Sequence, residues 1–153
     1  MWIHSGPEPN PATPPGRSAP VALAVPELLM AEALARVLRD HGLCVVGCDA
    51  TYDGLLATVR RRRPAVVVVD VELVDGPDGA AGALAALRAA GRECRLVVLA
   101  DAVDCALARR MVDCGAHAVI AKSSPTGDAV ATLVGVIRGQ PRHPEPARRG
   151  RVE

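Results

Sequence analysis

A chain of 153 residues is long enough for one domain with its own core, and half of its residues are apolar, which excludes global disorder. The apolar set is aliphatic: there is no Phe, one Trp (Trp2) and one Tyr (Tyr52), so the stacking platforms that single-stranded nucleic acid needs are missing. A formal net charge of +1 gives no global signature for nucleic acid or an anionic membrane.

In chain order, residues 1–20 carry six prolines, a density that forbids helix or central strand and predicts a disordered arm. Val21 to Val25 predicts a first short strand, and Glu27 to His41 a helix with Leu28, Ala31, Leu34, Ala35 and Leu38 at helical spacing, ended by Gly42. Leu43 to Gly47 predicts a second strand. Tyr52 to Arg63 predicts a helix with Leu55, Leu56 and Val59 inward, stopped by Pro64. Ala65 to Asp70 is the most hydrophobic strand and hence the central one. Gly79 to Ala90 predicts an alanine-rich helix ended by Gly91. A strand over Arg95 to Ala100, a helix over Asp104 to Asp113 closed by Gly115, and a strand over His117 to Ala121 follow. Ser124 is placed to cap a last helix with Pro125 at its first position, burying Val130, Leu133, Val134 and Ile137 and ending at Gly139. Residues 139–153 predict a second flexible tail, Pro-rich and mildly basic, which leaves 21–138 as the folded domain. Strict alternation of apolar strands with helices implies an α/β three-layer sandwich: a five-stranded parallel sheet, flavodoxin-like, of order 2-1-3-4-5.

Two charged residues end apolar runs. Asp70 closes Ala65-Val66-Val67-Val68-Val69, and Lys122 closes Ala118-Val119-Ile120-Ala121. Both would stand at the carboxyl edge of the sheet, where open α/β sheets place their chemistry. Five cysteines (Cys44, Cys48, Cys94, Cys105 and Cys114) show no CxxC spacing and read as small core residues in a reducing cytoplasm, with Cys44 and Cys48 on one strand face. Arg60-Arg61-Arg62-Arg63 reads as a solvated helix end and His117 as a packing residue. There is no Gly-rich phosphate loop, no GxSxG elbow, no secretory signal pattern and no apolar stretch near the roughly 18 residues of a membrane span.

Four segments, in order and at matching spacing, resemble the receiver domain of bacterial response regulators, nearest the NarL/FixJ subfamily. They are Leu23-Ala24 through Glu32-Ala33-Leu34, Arg63-Pro64-Ala65 through Asp70, Arg95-Leu96-Val97-Val98-Leu99, and Cys114-Gly115-Ala116-His117 through Lys122. The resemblance implies a CheY-like signalling module of a two-component phosphorelay, cytoplasmic and not an enzyme. Asp70 would stand at the phosphoacceptor position and Lys122 at the phosphate-contacting position. The family's other site positions are degenerate here: its acidic pair falls on Val25 and Pro26, its hydroxyl on Ala100, and its switch aromatic on Val119.

These departures have physical consequences. Mg²⁺ is doubtful as a cofactor, because Asp70 is the main oxygen donor left and only Glu27, a weak metal candidate two residues past the first strand, could substitute. Lys122 alone offsets the charge of a phosphoryl group. Loss of the hydroxyl at Ala100 removes a bond of order 1.5–3 kcal/mol, roughly tenfold to a hundredfold in rate. Glu27, Asp75, Asp78 and Asp101 otherwise read as solvated loop or first-turn carboxylates. The expectation is therefore an atypical, phosphorylation-independent receiver in which Asp70 and Lys122 form an ion pair, working through protein partners (a histidine kinase or an output regulator). The alternatives are a working phosphorelay receiver that accepts phosphate on Asp70, and a module that responds to a small molecule beside Val25, Pro26 and Ala100. A homodimer through the last two helices would use Ala108, Met111, Val112, Ile120 and Val136. No direct binding of nucleic acid or membrane is expected, and the tail is too short for the helix-turn-helix module that such relatives carry.

Overall fold

The computed structural model describes residues 19–75, 79–91 and 94–137. Five strands, β1 (Pro20–Ala24), β2 (Cys44–Asp49), β3 (Val66–Asp70), β4 (Arg95–Ala100) and β5 (Ala118–Ala121), form one sheet of order β2-β1-β3-β4-β5. Every neighbouring pair is parallel. The helices are α1 (Leu28–Asp40), α2 (Tyr52–Arg62), α3 (Val71–Val74), α4 (Gly79–Gly91), α5 (Cys105–Asp113) and α6 (Thr126–Ile137). The flavodoxin-like α/β expectation is met, strand order included.

Side-chain alternation along each strand sorts the core into two layers. Val21, Leu23, Val66, Val68, Val97, Leu99, Ala118 and Ile120 face α1 and α6 through Ala31, Ala35, Leu38, Leu133 and Val136. Ala22, Ala24, Val67, Val69, Leu96, Val98 and Val119 face the other helices through Leu55, Val59, Leu84, Leu87 and Met111. Both faces of β3 are covered, so its four valines are entirely or almost entirely buried. That is why a continuous apolar run, rather than an alternating one, marks it as central.

Punctuation residues act as their chemistry requires. Gly42 follows α1 at φ +81° and Gly115 follows α5 at φ +110°. Thr51 caps α2 by accepting the Gly54 N–H, and Asp104 caps α5 by accepting the Leu107 N–H. Pro20, assigned to the arm by proline density, is instead the first residue of β1. A first strand residue can spare its N–H, and the Pro20 carbonyl accepts the Ala65 N–H at 2.8 Å. Gly91 lies inside α4 rather than beyond it. A Cβ there would come within 2.7 Å of Val59 Cγ1, so the glycine serves close packing of α4 on α2. The last helix starts at Thr126, and the Pro125 carbonyl receives the Ala129 N–H, so the first turn is organised around Pro125 rather than Ser124. Gly139 and both terminal segments, apart from Ala19 and Pro20, lie outside the described residues.

The cysteine expectation is corrected. Only Cys94 is buried; Cys44, Cys48 and Cys105 are exposed and Cys114 is intermediate. β2 is an edge strand, and its pairing with β1 slips by one residue between Val45 and Gly47. Val45 packs on the α1 side, while Gly47 and Asp49 face Thr58 of α2. The slip breaks the alternation that would have put Cys44 and Cys48 on one face.

The same contact makes Gly47 hard to replace. A Cβ at this position would sit 2.4 Å from Thr58 Cγ2, and the Thr58 hydroxyl is committed to Asp49 Oδ2 at 2.7 Å. Gly47→Ala is expected to cost about 1–3 kcal/mol in urea unfolding. Adding Thr58→Ala should return part of that loss, and a purely additive pair would contradict this contact.

Candidate functional site

The carboxyl edge gathers what the sequence set far apart. β3 ends on Asp70, β1 runs into Glu27 at the N-cap of α1, β4 is followed by Asp101, and β5 is followed by Lys122. The Lys122 N–H donates to the Ala100 carbonyl at 2.8 Å, which extends the β4–β5 ladder by one bond and fixes the lysine beside Asp70.

Asp70 is fully buried. Its Oδ1 accepts the Glu72 N–H at 3.0 Å and so caps α3, a helical turn where the sequence pattern predicts a loop. Its Oδ2 has no hydrogen-bond partner among backbone or hydroxyl groups and is neutralised by the ammonium of Lys122, whose side chain is only 9% exposed. Both oxygens are thus engaged in the interior.

Lys122 does not face one anion alone, and here the expectation of an isolated pair is corrected. Its Nζ also lies 3.6 Å from Glu27 Oε2 and 3.4 Å from Asp101 Oδ1. Those two carboxylates are well exposed, as expected of solvated loop acids, yet strand ends converge tightly enough to bring both against the lysine. Burial pulls the ammonium pKa down, but the hydrogen bond and charge of Asp70, with Glu27 and Asp101 behind them, more than reverse this and push it up to about 12. A raised pKa stabilises the fold in full below the ordinary 10.5, and that contribution vanishes as pH rises through about 12.

One oxygen each of Glu27, Asp70 and Glu72 lies within 4.8 Å of the others, a donor set of the kind a hard divalent cation takes. Glu72 was missed because its approach depends on the α3 turn. Part of the set is already engaged. Its inner member, Asp70, is sealed from solvent with one oxygen capping α3 and the other on an ammonium, and that ammonium also takes Glu27. Asp75, the C-cap of α3, is exposed, and Asp78 lies outside the described residues.

The four positions expected to be degenerate lie in or beside the core. Val25 packs in the α1-side layer, Ala100 and Val119 are buried, and Pro26 is half-buried. Val119 sits on the α2–α5 side against Met111 and has no ring to reorient. The residues expected to form a dimer face are mostly interior: Ala108, Met111, Ile120 and Val136 are buried, and only Val112 is partly accessible. Ile120 and Val136 belong to the layer facing α1 and α6, and Met111 to the opposite layer of the core. His117 bonds as well as packs, its Nδ1 accepting the Leu96 N–H at 3.0 Å.

A doubly covered parallel sheet with an Asp and a Lys at its carboxyl edge defines a class, the receiver domain. Residues 26–133 match the family profile of the response regulator receiver domain, and the chain belongs to that family. Solved structures agree in fold. The signal receiver domain of the response regulator NarL from Mycobacterium tuberculosis superposes with a TM-score of 0.71 at 21% identity, covering 80% of this chain and 98% of that one. A LuxR-family two-component response regulator from Aurantimonas sp. SI85-9A1 gives 0.74 at 22% identity, covering 84% and 91%. The isolated REC domain of RcsB from Salmonella enterica serovar Typhimurium, solved with the phosphomimetic BeF3⁻, gives 0.73 at 15% identity, covering 84% and 95%. No curated protein sequence matches the chain. The protein is a receiver-domain signalling module of the two-component type, a class that generally signals rather than catalyses. Among the described residues no helix is long and apolar enough to cross a membrane.

The geometry predicts unequal partners. Lys122→Met strands a buried carboxylate and should cost about 3–5 kcal/mol in urea unfolding. Asp70→Asn keeps an acceptor for the Glu72 amide and leaves Lys122 with Glu27 and Asp101, so its cost should be about 1–2 kcal/mol. Equal losses would contradict this reading.

Proposed function

We propose that this receiver works without phosphorylation, as a protein-contact module in two-component or transcriptional signalling. The observation that supports this most directly is the closure of Asp70, fully buried with one oxygen capping α3 and the other on Lys122. Phosphoryl transfer to Asp70 would have to break the ion pair, expose the carboxylate and replace its single charge with a phosphoryl group carrying close to two. Ala100 provides no hydroxyl for those oxygens, and Val25 and Pro26 provide no acids for a divalent ion. Asp70 and Lys122 then act as a fixed clasp joining the ends of β3 and β5. Contacts with an output regulator or a kinase would be made by exposed surface. Leu28 and Leu29, 67% and 82% exposed at the start of α1, are apolar residues available for that use.

A second reading is favoured by the Glu27, Asp70 and Glu72 oxygens: a phosphorelay receiver that uses displaced acids to hold Mg²⁺. The two readings part on a simple assay. Full-length protein incubated with acetyl phosphate and Mg²⁺ is expected to show no phosphoryl mass gain by intact-mass spectrometry. A gain that Asp70→Asn abolishes would overturn the phosphorylation-independent reading and establish the second.

A further inference from the structure

The opposite edge of the sheet has the opposite chemistry. Because all five strands run parallel, their beginnings gather at one edge, where Pro20, Ala65, Arg95 and His117 meet the end of α2 and one side of α4. A groove of about 940 Å³ opens there, within the range of small-molecule sites. Its hydrogen-bonding side chains are Arg63, Arg88, Arg95 and His117, together with the Cys94 thiol, which is turned to the Leu87 carbonyl. Among the described residues, no carboxylate, amide or hydroxyl side chain lines the groove. Among the described residues, none of the three guanidiniums has a carboxylate within ion-pair distance.

The donors are positioned. His117 is tied on two sides to β4: its backbone N–H donates to the Leu96 carbonyl at 2.7 Å, and Nδ1 accepts the Leu96 N–H at 3.0 Å. That second bond puts the proton of the neutral ring on Nε2, which becomes a further donor. Burial, then the charges of Arg88 and Arg95, hold the imidazole pKa below the ordinary range. Arg88 lies against Gly115, where a Cβ would come within 3.4 Å of Nη1. Arg63 is the one non-glycine residue with positive φ among the described residues, at φ 46° and ψ 62°. It is the left-handed cap that ends α2, its N–H donating to the Val59 carbonyl, and it turns the chain into Pro64 at the groove. The preceding arginines, Arg60 to Arg62, stay in the exposed last turn of α2, so the basic run divides at Arg63.

We propose that this amino-edge groove binds a small polyanion bearing two or more linked phosphate groups, gripped by Arg63, Arg88 and Arg95 with the Nε2–H of His117. Guanidinium forks match phosphate oxygens two at a time, and three of them suit the charge of a di- or triphosphate. The three guanidiniums line a single groove, which suits a compact anion. Among the described residues the lining has no aromatic to stack a nucleic-acid base. The site is separate from Asp70, so the proposal stands whether or not Asp70 is phosphorylated.

The test is isothermal titration of the full chain near physiological salt with tripolyphosphate, orthophosphate, ADP, a glutamate-rich peptide and a DNA duplex. Tripolyphosphate should bind at least about tenfold more tightly than orthophosphate. Arg63→Gly combined with Arg88→Gln should weaken it at least about tenfold, without lowering the unfolding midpoint of the free protein, because glycine relieves the left-handed strain at 63. ADP binding that depends on the same arginines supports the proposal and identifies the phosphates as carried by a nucleotide. No tripolyphosphate binding by the wild-type chain would overturn it. Undiminished binding by the double variant would assign the effect to other arginines and overturn it as well. Tighter, arginine-dependent binding of the peptide or the duplex would replace the small ligand with a macromolecular partner.

Discussion

One buried ion pair organises the carboxyl edge of this protein. Asp70 is at the end of the most deeply buried strand, where an uncompensated carboxylate would be strongly destabilising. Lys122 supplies the compensation, and it can do so because its own amide is held on the Ala100 carbonyl. Through the Glu72 N–H the same carboxylate starts α3, and through the ammonium it draws in Glu27 and Asp101. The ends of four strands are therefore tied by one cation and its anions, and substitution of either central partner reaches all of them.

On the proposed reading, the apolar residues at Val25, Pro26, Ala100 and Val119 are mutually consistent. An acidic pair after β1 would compete for Lys122, whereas Val25 instead completes the apolar layer over α1. A hydroxyl after β4 would serve a phosphoryl group, and Ala100 instead lies buried with its carbonyl bonded to Lys122. An aromatic on β5 would need space in which to move, and Val119 is packed against the α2–α5 layer. At all four positions the side chain present is apolar and packs beside the Asp70–Lys122 pair or in the core.

The parallel fold was legible because its signals are local and repeated: a valine run closed by Asp70, glycines after α1 and α5, and Pro64 after α2. The Asp70–Lys122 contact was legible because both residues end buried strands, and strand ends share an edge. What escaped depends on three-dimensional convergence or on single-residue geometry. Glu27 and Asp101 read as solvated loop acids because no spacing links them to Lys122. Glu72 depended on α3, whose one signal was a cap-type Asp before Val-Glu-Leu-Val. The cysteines of β2 were misplaced because an edge strand with a register slip does not bury what its apolar pattern suggests. Arg63 was grouped with its neighbours because its left-handed turn before Pro64 leaves no trace in composition.

The closed state of the Asp70–Lys122 clasp is the central claim. It is tested most directly by amide NMR of the full chain titrated with beryllofluoride and Mg²⁺, following Glu72, Asp101 and Lys122. The account predicts spectra that do not change at saturating reagent. Stoichiometric shifts at these amides that spread to α5 and β5, and that Asp70→Asn abolishes, would contradict it.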